Sequence, residues 1–248
     1  MIRHIWHDFF LKSGAIFFRF RNFLFPTFII TLFVFTKPAL FLGRRDIDVV
    51  VVILGFIIAL LGILFRLFVI GFAYIKRGGK DGRVYAHGLV TGGIYGHVRN
   101  PMYIGNFFGI VGIAMIYGSV WVYIFVVPFF TYVYVSIVVT EEDYLRNRFG
   151  AEYEAYCKKV NRFIPNFSGL KDTLEKSSYD WRKAIRKDYG TFIGVLVGCY
   201  MTWLLKSYYF YNLKQGKYKL FIILFPLILL GSFYCLVRYL KKSGRLRS

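Results

Sequence analysis

The chain has 248 residues, of which 57% are hydrophobic and 21% aromatic, with a mean hydropathy of +0.50. That composition excludes an ordinary soluble domain and requires lipid as solvent. Thirty-three Lys and Arg against thirteen Asp and Glu give a formal charge of +20, which in so apolar a chain is read by its distribution between spans, so no nucleic-acid partner is expected.

A helix needs about 20 apolar residues to cross the hydrocarbon core. The N-terminal stretch "IRHIWHDFFLKSGAIFFRFRNFLFP" mixes Trp6, Phe9, Phe10, Phe17 and Phe18 with basic residues, as suits a helix lying among the headgroups. It reads as mature sequence rather than a cleaved signal, because Lys12 and Arg19 interrupt its apolar runs. Spans are predicted over 22–42, 48–75, 191–212 and 218–240, with two short ones over 103–139. This last segment breaks at Tyr117-Gly118-Ser119 into a helical hairpin, whose arms Gly105, Gly109 and Gly112 would let pack closely. The expected fold is all-α: a polytopic membrane protein of about six transmembrane helices. Residues 1–47 hold the interfacial helix and first span, 48–167 a core, 168–190 a cytosolic linker or surface helix, and 191–248 a final helix pair.

Basic residues concentrate in alternate loops. The N-terminus carries Arg3, Lys12, Arg19 and Arg21; the 76–102 loop Lys76, Arg77, Lys80, Arg83 and Arg99; the 140–190 region eleven Lys or Arg; and the tail Arg238, Lys241, Lys242, Arg245 and Arg247. The opposite side has Lys37, Arg44 and Arg45, then Lys206, Lys214, Lys217 and Lys219. Both termini are therefore expected in the cytosol, with the bacterial inner membrane or the endoplasmic reticulum as the host membrane.

Cys157, Cys199 and Cys235 form no CxxC pair or even framework, and His4 and His7, a turn apart, lack an acidic or thiol partner, so no metal site is expected. Polar chemistry gathers instead in two places on the cytosolic side. One is the loop "GGIYGHVRNPMYIGN", Gly92 to Asn106, and the other is "EEDYLRNRFGAEYEAYCKKVNRFIPNF", Glu141 to Phe167. The antiparallel hairpin between them lets the two meet. Read singly, Asn100-Pro101 is a helix N-cap with proline at the first helical position, and Glu141-Glu142-Asp143 begins a helix whose N-terminus favours acids.

Together they resemble the isoprenylcysteine carboxyl methyltransferase and phospholipid methyltransferase superfamily of integral membrane enzymes. Gly93, Tyr95, Arg99, Pro101, Tyr103 and Gly105 match the first half of that pattern, and Glu141, Glu142, Leu145, Phe149, Gly150, Tyr153 and Tyr156 the second. The resemblance covers about residues 48 to 167. Asn100 stands where the pattern has histidine, and Lys159-Val160-Asn161 departs from the isoprenylcysteine branch.

The resemblance implies S-adenosylmethionine as cofactor and a lipid or lipidated acceptor, carboxylate or amine, entering from the bilayer. No Rossmann-type glycine fingerprint is present to hold the cofactor. Arg99 suits its carboxylate, Glu141 or Glu142 its ammonium and ribose hydroxyls, and Tyr95, Tyr103, Tyr153 and Tyr156 its adenine or sulfonium. His87, His97, Asn100 and the Pro101 turn complete the expected cofactor pocket. Alignment of nucleophile and methyl group is the main catalytic task; a carboxylate acceptor needs no base, whereas an amine would use Glu142, His97 or a tyrosine. Arg66, in "LGILFRLFVIG", is a charge at membrane depth and is expected to face a cavity; with Arg99 and Glu142 it is a candidate catalytic residue. Two other readings stay open: an NADPH-dependent enzyme similar to the membrane sterol reductases, which share an arginine- and tyrosine-bearing loop but differ from the Glu141-Glu142 pair, and a non-catalytic lipid-binding protein of the same fold.

Overall fold

A computed structural model of the protein describes residues 2–72, 77–80, 83–211 and 219–246. Helices dominate: α1 (Ile2–Phe35), α2 (Arg45–Phe72), α3 (Pro101–Tyr117), α4 (Val127–Lys159), α5 (Leu170–Glu175), α6 (Trp181–Phe210) and α7 (Lys219–Lys242). A two-stranded antiparallel hairpin, β1 (Arg77–Lys80) and β2 (Arg83–Ala86), is the one departure from all-α character among the described residues, and pairs Arg77 with Ala86.

Among the described residues four helices are long and apolar enough to cross a membrane, Arg45–Phe72, Val122–Lys159, Trp181–Phe210 and Leu220–Lys242, with the shorter apolar Pro101–Tyr117 beside them in the sequence. The expected span over 22–42 begins inside a longer helix. The interfacial stretch and the apolar run after it make one uninterrupted helix, α1, that ends at Phe35. Just past that end, Thr36 Oγ1 lies 2.8 Å from the Tyr117 hydroxyl at the end of α3.

The hairpin breaks at the expected residues. Gly118 adopts φ +76 after α3 ends at Tyr117, a conformation a residue with a Cβ rarely takes. A π-helical turn, Val122–Val126, then leads into α4; its wider coil makes room for the Pro128 ring, which would otherwise press on a carbonyl one turn back. Gly150, at φ 50 and ψ −124, interrupts α4.

By its internal contacts the chain forms two compact units. The first comprises Met1–Thr31, Phe72–Ile104 and Pro128–Ser178. Within it α1 lies on α4. Phe18 packs with Val133 and Ile137, Phe9, Phe10 and Phe17 meet the Tyr132 ring, and Thr140 Oγ1 donates to the Leu11 carbonyl at 3.2 Å. Gly14 sits directly on the Ser136 carbonyl, where no side chain fits.

The second unit comprises Leu32–Gly71, Gly105–Val127 and Tyr179–Ser248, and α2 is its axis. Asp48, Val52, Gly55, Ala59, Gly62 and Arg66 are all buried and recur every three or four residues, forming one stripe. Glycines on this stripe meet glycines of α3: a Cβ on Gly62 would lie 2.6 Å from the Gly105 carbonyl, and one on Gly55 2.7 Å from that of Gly112. Gly105 and Gly112, expected to pack the hairpin arms, thus find a different partner, α2, which offers matching glycines at the same seven-residue spacing, while Gly109 faces Val195.

Against α6 the same stripe uses charge. Asp48 pairs with Lys206 at 2.7 Å, both fully buried, and also accepts from Tyr211 Oη at 2.8 Å and from the Phe41 amide at 2.8 Å. Burial, reinforced by Asp48, pushes the Tyr211 phenol up to about 12, so it remains a donor. Arg66 pairs with Asp188, Nε to Oδ2 at 2.9 Å and Nη2 to Oδ1. Asp48 and Arg66 are eighteen residues apart on α2, and Asp188 and Lys206 eighteen apart on α6. Eighteen residues make five full turns, so two antiparallel helices bring both pairs onto a single seam.

Candidate functional site

The two motif halves meet within the first unit. From the first half come Tyr95, in a 3-10 turn over Gly93–Gly96, and His97, Arg99, Asn100 and Tyr103, at the entry to α3. From the second come Glu141, Glu142, Tyr153 and Tyr156 on α4. Backbone bonds stitch the segment after α4 to the loop: the Arg99 amide donates to the Asn161 carbonyl and the Asn166 amide to that of His97, each at 2.9 Å.

Glu142 is the centre, with 2% of its surface exposed. Asn100 Nδ2 donates to its Oε1 at 2.8 Å, and Arg99 Nε stands 3.4 Å from the same oxygen. Arg162 donates to Oε2 through Nε at 3.1 Å and Nη2 at 2.8 Å. A buried carboxylate requires such compensation, since desolvation of an isolated charge costs several kcal/mol. Beside it the Tyr103 hydroxyl donates to Glu141 Oε1 at 2.8 Å.

Asn100 begins α3 where an N-cap is expected, and its carbonyl accepts from the Tyr103 amide at 3.3 Å. Its side chain does not cap the helix; the amide turns to Glu142 instead. Asn100 is 1% exposed, and its Oδ1 has no hydrogen-bond partner among the described residues. Pro101 occupies the first helical position, where its missing N–H costs nothing.

Other expected ligands have structural partners. The Tyr156 hydroxyl donates to the Tyr95 carbonyl at 2.7 Å, and Tyr153 and Tyr156 pack with Ala86, Leu145 and Val160 in a small core. His97 uses both ring nitrogens, Nδ1 on the Asn166 carbonyl at 2.7 Å and Nε2 on Thr173 Oγ1 at 2.9 Å, fastening the chain that leads to α5. His87 is exposed, with its ring edge-on to Tyr85. Arg66 belongs to the second unit. Its side chain is 9% exposed, and its guanidinium meets Asp188, Asn106 Oδ1 at 2.7 Å and Thr191, so the partner that a charge at membrane depth requires is Asp188 rather than an open cavity.

Sequence reasoning missed Arg162, Asp188 and the Asp48–Lys206 pair. Arg162 directly follows Lys159-Val160-Asn161, the segment that departs from the isoprenylcysteine branch. The paired acids and bases announce themselves only through their equal eighteen-residue spacing. Among the described residues no cluster of His, Cys, Asp and Glu could hold a metal ion.

The donor set suits a ligand that bears both hydrogen-bonding polarities. A buried acceptor without a partner among the described residues, Asn100 Oδ1, lies in a site with Arg99, Glu141 and tyrosine rings, which fits S-adenosylmethionine with its amines, carboxylate and hydroxyls.

Residues 50–152 match the family model for phospholipid methyltransferases. Over 80 residues the chain is 41% identical to the protein-S-isoprenylcysteine O-methyltransferase of Schizosaccharomyces pombe. It is 34% identical over 80 residues to the nickel-cobalt-cadmium resistance protein NccN of Alcaligenes xylosoxydans xylosoxydans, and 31% to the cobalt-zinc-cadmium resistance protein CzcN of Cupriavidus metallidurans. These alignments take in 32% of this chain and 34% to 37% of each relative, so the chain spans about a third of the length of the curated proteins it matches. No solved structure matches.

Proposed function

We propose that this protein, whose residues 50–152 match the phospholipid methyltransferase family and which is similar over 80 residues to an isoprenylcysteine methyltransferase, is an integral membrane methyltransferase that uses S-adenosylmethionine to modify a lipid or lipidated acceptor at the cytosolic membrane edge. The observation that carries this reading is the buried convergence of Arg99, Asn100 and Glu142 from two motif halves some forty residues apart. Buried, compensated charge gathered from motif residues is a pattern that functional sites commonly carry.

The cofactor supplies an electrophilic methyl group. Arg99 holds a carboxylate, Asn100 and Glu141 take N–H or hydroxyl donors, and the Tyr103 ring flanks the pocket. Arg66, held by Asp188 and Asn106, serves by fixing α3 against α2. Because the acceptor arrives from the bilayer, it is amphipathic, and burial of the site excludes water from the transfer.

The test is incubation of membranes containing the protein with methyl-labelled cofactor, followed by lipid extraction and mild base. A methyl ester releases volatile methanol and an N-methyl group does not; label on soluble small molecules alone would refute the lipid acceptor. Failure to bind S-adenosylmethionine and its demethylated product in detergent would refute the cofactor.

A further inference from the structure

Glu142 has both oxygens taken by its own chain. A carboxylate offers about four lone-pair positions; here Asn100 and Arg99 stand at Oε1 and two guanidinium nitrogens of Arg162 at Oε2. Arg162 follows α4, beyond the region matched to the family model, and its carbonyl also lies 3.4 Å from Asn100 Nδ2. The Asn100 amide can face a carboxylate with its NH2 only, because the opposite orientation sets oxygen against oxygen. Its buried Oδ1, without a partner among the described residues, is thereby aimed along the other branch of the side chain.

We infer that Arg162 is a positioning residue for the methyl-donor site: by occupying Oε2 of Glu142 it makes that carboxylate an anchor for the Asn100 amide, and Asn100 Oδ1 is the acceptor presented to the adenine N–H of the bound donor. This rests on the proposed methyltransferase function. Glu142 then touches no ligand, and its effect on binding passes through Asn100.

Calorimetry on the full chain in detergent, with S-adenosylhomocysteine and with its analogue lacking the α-amino group, separates the two roles. Binding of S-adenosylhomocysteine by the unaltered protein is the first measurement, and its failure retires the methyltransferase reading itself. Given that binding, Arg162→Met weakens both ligands by a similar factor, about tenfold or more for loss of an ionic hydrogen bond behind the contact, and Arg162→Lys, which keeps the charge, restores most of it. Glu142→Gln likewise weakens both ligands alike. Selective loss of the amino-bearing ligand in Glu142→Gln would overturn the proposal, because Glu142 would then bind the ammonium directly. Unchanged binding in Arg162→Met, or tighter binding of the amino-bearing ligand alone, would overturn it too. Arg162 is half-exposed, and Arg162→Lys and Glu142→Gln decide between the outcomes where Arg162→Met does not fold.

Discussion

Lys206→Met is the sharpest test of the seam between α2 and α6. The substitution preserves length and apolar stem but leaves Asp48 buried without its cation. Removing one partner of a buried pair costs about 3–5 kcal/mol; the hydrogen bonds from Tyr211 and the Phe41 amide remain on Asp48 and should hold the loss near the lower end, about 3 kcal/mol. The double variant Asp48→Asn, Lys206→Met removes both charges, keeps an acceptor for Tyr211 and Phe41, and should recover at least half of that loss. Thermal unfolding in detergent across the four members of the cycle gives the coupling directly. Additive single effects, or a Lys206→Met protein as stable as the parent, would refute the view that the pair is coupled. Repeating the cycle at Arg66 and Asp188 should give the same sign, because Asp188 is 3% exposed and its cation equally enclosed.

Gly112→Ala places a Cβ 2.7 Å from that of Ala59 and against the Gly55 carbonyl, and should destabilise by about 1–3 kcal/mol, whereas Gly194→Ala and Gly231→Ala, in open helical positions, should be neutral or slightly stabilising on the same melting assay. Gly150→Ala, forced to φ 50, should cost about 1–3 kcal/mol in thermal unfolding, although no neighbour contests the added atom. His97→Ala removes the ring that ties Asn166 to Thr173, so limited proteolysis should cut between residues 166 and 178 faster than in the parent. Reporter fusions at Ser248 and Gly216, both outside the described residues, should report opposite sides of the membrane.

The local signals were the readable ones. Gly118 declared the break in the hairpin, and the resemblance carried by two short motifs singled out Arg99 and Glu142, which the structure brings to 3.4 Å of each other. Tyr153 and Tyr156 were found as well; their packing in a small core and the Tyr156 hydroxyl on the Tyr95 carbonyl were not legible, because an aromatic ring at a site and one in a core have the same sequence signature. The run after Arg21 was apolar enough to suggest a span, but the start of its helix was not legible, since a helix start cannot be located from hydropathy when its flanking residues also favour helix. Pairings such as Arg66 with Asp188 span 122 residues, and nothing in either neighbourhood specifies the other. Asn100 shows the converse: its cap position was legible, and the buried carboxylate that drew its side chain away was not.

Equal spacing of the charges has a consequence for biogenesis. During synthesis α2 enters the bilayer long before α6 exists, and at about 5–20 residues per second the 122 residues from Arg66 to Asp188 take on the order of ten seconds. Asp48 waits three residues from the start of its helix, within reach of the interface, but Arg66 waits six residues from the end of its own, close to two turns inside. Insertion of α2 must therefore tolerate an arginine without its carboxylate until α6 arrives, and arrival in the right alignment neutralises both ends at once. An alignment one turn out neutralises neither. Assembly of the second unit is thus proofread by charge, and variants that alter the distance between Asp188 and Lys206 by even one residue should be lost to quality control before folding is complete.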